Sequence, residues 1–209
     1  APFSIDRMPD IAAKYFHLGP LLSDDIPPVL VQQLASKGTV SLDIQGYLRE
    51  VKDKKVLFKD WVDKEFVLSY ISILKANEFE MEVVTGTSNI EQGARYLADL
   101  GVKEVIITLG SNGSVIFTNG VFYPIPAFCP NEVVDATGCG DTYMAGYLWK
   151  RSQGATVQEA GTFGAAMATL NIQVSGPYSG SLTEIESIIQ EGMHNPEKMI
   201  VPDLVTSTN

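Results

Sequence analysis

Asp135-Ala136-Thr137-Gly138-Cys139-Gly140-Asp141-Thr142 leads straight into Tyr143-Met144-Ala145-Gly146-Tyr147-Leu148. Two glycines flank one small residue, and an apolar helical pattern follows at once. Glycine lets backbone N–H groups converge where a side chain would block them. A helix start adds unpaired N–H groups and the positive end of a dipole. Together these make an anion hole suited to phosphate. Asp141 stands at its mouth. A carboxylate there would repel an anion, but it makes sense as a base that takes a proton from an attacking hydroxyl. It reads equally as an ordinary acid in a first helical turn.

Outward from this stretch, apolar runs alternate with helical patterns. Strands are expected at Tyr15–Leu18, Thr39–Ile44, Tyr70–Leu74 and Val105–Leu109. Helices are expected at Ile26–Ser36, Asp60–Leu68, Asn77–Val84, Ile90–Leu100, Thr142–Arg151, Val157–Leu170 and Thr183–Glu191, the sixth capped by Thr156. Ser114–Thr118 and Val121–Tyr123 form a hairpin across Asn119-Gly120. The alternation predicts an α/β fold with helices on both faces of a sheet, a three-layer α/β/α arrangement. One domain over residues 1–209 is the simplest organisation, with 193–209 as a tail.

Two rival phosphate loops fail on inspection. A dinucleotide fingerprint starting from Gly138 and Gly140 needs a third glycine where Tyr143 stands. A Walker loop needs Gly-Lys, which occurs nowhere in the chain. The formal charge is −10 over 209 residues, so no footprint for nucleic acid or an anionic membrane is expected. No apolar stretch reaches the length of a membrane span. A cytoplasmic address is the default expectation. His17 and His194 are too few and too scattered for a metal site or a triad. Trp61 and Trp149 read as core residues.

The 135–142 segment resembles the C-terminal signature of the PfkB/ribokinase family of kinases, Asp-Thr-x-Gly-Ala-Gly-Asp followed by a small-residue helix. Ala136 and Cys139 depart from it, both with small side chains. Two further segments follow the family's order. Lys75-Ala76-Asn77-Glu78-Phe79-Glu80 resembles its Asn-x-x-Glu motif, and Thr108-Leu109-Gly110-Ser111-Asn112-Gly113 resembles its turn against the nucleotide phosphates. The resemblance runs from about Tyr15 to Gln190. It implies a ribokinase-like fold and ATP-dependent transfer of a phosphoryl group to a hydroxyl of a sugar or polyol. Asp141 would be the base, with the backbone of Gly138, Cys139 and Gly140 around the transferring group.

Nucleotide contacts are implied for Thr108, Gly110, Ser111 and Gly113, with Gly164 on the helix beside the base and Gly176 in the loop over it. Asn77 and Glu80 would hold Mg²⁺ through water, although Asn-x-x-Glu also spells an ordinary capping box. Asp135 and Thr137 match the first two positions of the family's monovalent-cation site, implying K⁺; the other positions fall in the divergent segment Thr169–Gly180. Asp43, Gln45 and Arg49 lie in a post-strand loop, where they would line the route to the acceptor or be solvated loop residues.

Nothing matches the family's front end of strands and lid. The chain is therefore expected to enter that fold partway through, with open edge strands that favour association, including a homodimer. Two other readings stay open: a nucleoside or pyridoxal-type vitamin kinase, and a non-catalytic fragment that binds nucleotide or only associates.

Overall fold

A computed structural model describes Phe3 and residues 11–203. Among these, six strands form one sheet in the order β1-β2-β5-β6-β7-β8: β1 Tyr15–Leu18, β2 Thr39–Asp43, β5 Ile73–Asn77, β6 Glu104–Thr108, β7 Ser114–Thr118 and β8 Val121–Ile125. β1, β2 and β5 run parallel, with Ser41 opposite Ile73 and Asp43 opposite Lys75. The helices are α1 Pro28–Ala35, α2 Lys64–Leu68, α3 Glu78–Thr85, α4 Ile90–Asp99, α5 Cys139–Ser152, α6 Val157–Asn171 and α7 Leu182–His194. The expected α/β class is what the chain adopts.

The chain divides into two compact units, the first reaching Ile107 and including Phe117–Val121, the second taking Thr108–Ile116 and everything from Phe122. In the first unit Val40, Leu42, Leu74, Val105, Ile106 and Ile107 have no more than a trace of exposure, which is why these strands read as continuous apolar runs. Trp61 stacks on Tyr47 with ring centroids 4.5 Å apart, inside this core. A hairpin of β3 (Arg49–Lys52) and β4 (Lys55–Phe58) forms its own two-stranded sheet, with all of β4 exposed. The loop expected after β2, up to Arg49, is instead a 3₁₀ turn, Ile44–Leu48, that leads directly into this hairpin. β5 begins at Ile73, three residues later than expected, because Ser69, Tyr70 and Ile71 still donate backward to carbonyls of the preceding helical turns.

In the second unit α5 and α6 pack at unusually close range. A Cβ on Gly164 would sit 2.7 Å from the Tyr143 carbonyl oxygen, and one on Gly146 would sit 3.2 Å from Gly164 Cα. Gly164 is thus a contact residue between two helices. The expected tail is also shorter. Met199–Ile200 (β10) pairs antiparallel with Ala127–Phe128 (β9), so order persists past residue 193; residues 204–209 lie outside the described ones.

Candidate functional site

The loop before α5 is tied down at several points. The Val134 and Asp135 N–H groups donate to the Ile172 carbonyl at 2.8 and 3.1 Å. The Thr137 N–H donates to Asp135 Oδ1 at 2.9 Å, closing a turn on a side chain. That bond, together with one from the Thr137 side chain, holds the Asp135 carboxyl below the usual carboxylate range. Gly138 has φ of 77°, a left-handed conformation that costs an L side chain about 1–2 kcal/mol. The helix begins three residues earlier than the sequence pattern suggests, and its first bond runs from the Thr142 N–H to the Gly138 carbonyl at 2.8 Å.

The Cys139 N–H, one of the expected phosphate donors, points back to the Ala136 carbonyl at 3.3 Å. The N–H groups of Gly138, Gly140 and Asp141 take no partner among the described residues. They sit at the positive end of a 14-residue helix.

Asp141 occupies the third position of α5 and is exposed. Three other helices place Glu at that position, each inside a complete capping box: Asn77 with Glu80, Thr156 with Glu159, and Ser181 with Glu184. α5 has a glycine cap with no side chain to offer, and the Asp141 carboxylate accepts no hydrogen bond among the described residues. The capping explanation that serves elsewhere in this chain does not serve here.

The turn after β6 divides by burial. Gly110 and Ser111 are exposed, and Thr108 is half-buried. Gly113 is buried, and a Cβ there would meet the Ile125 carbonyl oxygen at 2.3 Å, so backbone packing alone demands glycine. Gly176 lies in an exposed turn with φ of 93° and open space around it.

In the first unit, Asn77 and Glu80 form the capping box of α3. Asn77 Oδ1 accepts from the Glu80 N–H at 2.8 Å, and Glu80 Oε2 accepts from the Asn77 N–H at 2.9 Å. Asn77→Ala is expected to cost about 0.5–2 kcal/mol, read from the urea midpoint. Glu80 is 4% exposed, and burial pushes its carboxyl up against the pull of the Asn77 N–H and the charges of Lys75 and Arg49; Asp43 adds to the rise. A carboxyl raised in the folded state gives stability that is full below its unfolded value and falls as pH climbs through the raised one. Glu80→Gln is therefore expected to be more stable than wild type at pH 7, with the difference closing below pH 4.5, in urea titrations across that range.

Asp43 is not on an open route. It is 5% exposed, its Oδ2 receives Lys75 Nζ at 2.7 Å, and its Oδ1 accepts from the Gln45 N–H at 3.1 Å, capping the 3₁₀ turn Ile44–Leu48. This corrects its expected substrate-facing place, while Gln45 and Arg49 remain half-buried beside it. Lys75 was not singled out by sequence, because its partner lies 32 residues away and meets it only through strand register.

No group of three or more His, Cys, Asp and Glu among the described residues makes a metal cage. The donors present suit only an ion held through its waters, since Glu80 has one carboxylate oxygen committed to a backbone N–H and Asn77 has its oxygen committed to another. No described helix is long and apolar enough to cross a membrane. A cleft of about 510 Å³ in the second unit lies among Phe128, Leu170, Gln173, Ile188, Glu191 and Lys198 and includes none of the candidate site residues.

Residues 11–184 match the model of the pfkB family of carbohydrate kinases. The chain belongs to the pfkB family. Within that family it is 29% identical over 169 residues to the cytidine kinase of Thermococcus kodakarensis, covering 80% of this chain and 58% of that protein. It is 39% identical over 116 residues to the ribokinase of Arabidopsis thaliana, covering 53% of this chain and 31% of the relative. Among solved structures, a pyrophosphate-dependent kinase of the ribokinase family, complexed with a pyrophosphate analogue and myo-inositol, superposes with a TM-score of 0.80 at 28% identity, covering 90% of this chain and 67% of that one. The chain thus spans less than three fifths of the length of these two curated pfkB relatives.

Proposed function

We propose that this chain serves an ATP-dependent kinase that phosphorylates a hydroxyl of a small sugar or polyol, with Asp141 as general base. The observation that carries the proposal is the start of α5: free N–H groups at Gly138, Gly140 and Asp141 beside an exposed carboxylate with no structural partner. The acceptor oxygen forms a bond to the γ-phosphorus as its proton passes to Asp141, while the bond to the bridging oxygen breaks and ADP leaves. Charge on the phosphoryl oxygens meets the free N–H groups and the helix dipole. Magnesium would neutralise donor phosphates, with its waters held by Asn77 and Glu80.

Gly110 and Ser111, exposed at the end of β6, are assigned to the donor, together with Thr108 and the Gly176 turn. Asp135 and Thr137 are assigned to a monovalent cation such as K⁺. The proposal includes a cytoplasmic location and a homodimer, the latter supported by strands β1 and β8 at the open ends of the sheet. A nucleoside acceptor is the second reading, favoured by the likeness to cytidine kinase across most of this chain.

The test is donor cleavage with ATP and with pyrophosphate, each against pentoses, hexoses, inositols and nucleosides, with and without Mg²⁺ and K⁺. Acceptor-dependent ADP release is expected. Release of inorganic phosphate from pyrophosphate with no ADP release from ATP would reassign the donor, and a response to nucleosides alone would reassign the acceptor.

A further inference from the structure

We propose that Asn171 is a positioning residue that sets the shape of the phosphate loop from behind, an inference that rests on reading Gly138–Asp141 as the donor-phosphate site. Asn171 is the last residue of α6 and is 2% exposed. Its Nδ2 donates to the Thr137 carbonyl at 3.3 Å and lies 3.6 Å from Cys139 Sγ. The side chain therefore spans Gly138, holding the residue before it and the residue after it. One position along, the Ile172 carbonyl takes the N–H groups of Val134 and Asp135. The carbonyls of a helix's last turn have no partners within the helix, and here they and one side chain grip the loop from Val134 to Cys139.

The unused half of the amide points to the same role. Asn171 Oδ1 is buried and has no hydrogen-bond partner among the described residues. Turning the amide over would set Oδ1 against the Thr137 carbonyl, two acceptors face to face, so the Nδ2 contact fixes its orientation. A leucine would fill the same space without burying an unsatisfied oxygen, and such groups in folded proteins call for a reason. The reason is the donor aimed at Thr137. The base of this grip is rigid, because α6 lies against α5 at glycine-to-glycine range. Gly138 has no side chain of its own to hold its φ of 77°, so the loop depends on what lies behind it.

The experiment uses Asn171→Leu and Asn171→Ala in the full chain. Amide hydrogen exchange is followed at Thr137 and Cys139, whose N–H groups are hydrogen-bonded within the loop, with residues 114–118 as the control, and binding of inorganic pyrophosphate is measured by calorimetry. Losing the Thr137 bond is expected to speed exchange at these two bonded amides by about tenfold while the β7 control stays fixed. Pyrophosphate affinity should fall by a similar factor, and in turnover the donor KM should rise more than kcat falls. Unchanged exchange in both folded variants would overturn the inference. Loss of the fold in both would overturn it too, making Asn171 a residue of the core. If wild type neither binds pyrophosphate nor turns over any donor, the functional reading fails, while the exchange result still decides whether Asn171 sets the loop.

Discussion

Asp141→Asn is expected to lower turnover by about 10²–10⁴-fold while leaving donor affinity within a few-fold of wild type. The split follows from the geometry. In the proposed site the donor phosphates meet the backbone N–H groups at the start of α5, and the substitution leaves every one of those groups in place. Only the proton acceptor is lost. Removing a carboxylate from the mouth of an anion site also lifts a local repulsion, so donor binding should hold or tighten slightly. Asparagine is a good residue near a helix start, and Asp141 makes no hydrogen bond among the described residues, so stability should hardly move. Steady-state kinetics with calorimetric donor binding checks both halves. Equal loss of affinity and turnover would make Asp141 a binding residue. Unchanged turnover would remove it from the chemistry.

Lys75→Met is expected to give the largest loss of stability, about 3–5 kcal/mol, because it leaves a carboxylate buried without its partner. The Lys75 and Asp43 side chains are 8% and 7% exposed and 2.7 Å apart. They lie opposite each other on adjacent parallel strands, where no solvent replaces a lost ammonium. For a chain of this length the loss amounts to roughly 10 °C in Tm. The double variant Asp43→Asn, Lys75→Met should recover most of it, since removing both charges removes the desolvation cost with them. Thermal unfolding of the three variants tests this cycle. A double variant no better than the single one would show that Asp43 matters mainly as the cap of the turn at Gln45.

How far the sequence could be read depended on which forces were local. The Asn119-Gly120 turn was legible because both residues need positive φ, and they have it, at 51° and 80°. Thr156 was legible as a cap because its partner Glu159 lies three residues on. The β3–β4 hairpin was not. Its strands bury neither face, so no alternation marks them, and its turn uses Asp53 and Lys54 at positive φ rather than a glycine. The start of α5 was read late because its first two positions are Cys and Gly, poor helix formers, at a place set by the Ile172 carbonyl and the Gly138 turn.

The same division holds at the site. Asn77, Glu80 and Asp141 could be named because each belongs to one continuous motif, the first two through the family resemblance rather than through spacing alone. Lys75 and Asn171 could not, because their partners lie 32 and 34 residues away. The coverage of the relatives bears on this as well. The chain's similarity to kinases of longer span leaves acceptor chemistry to experiment, whereas the loop at Gly138 is complete within 40 residues of sequence, from Val134 to Ile172.

The most direct test of the account is titration of the ¹⁵N-labelled chain with inorganic pyrophosphate and, separately, with a non-hydrolysable ATP analogue, observing backbone amides. The account predicts that both ligands produce their largest shifts at Gly138, Gly140 and Asp141, with a smaller response at Cys139, whose N–H is already engaged. Shifts confined to other residues, such as those lining the cleft between α6 and α7, would contradict it.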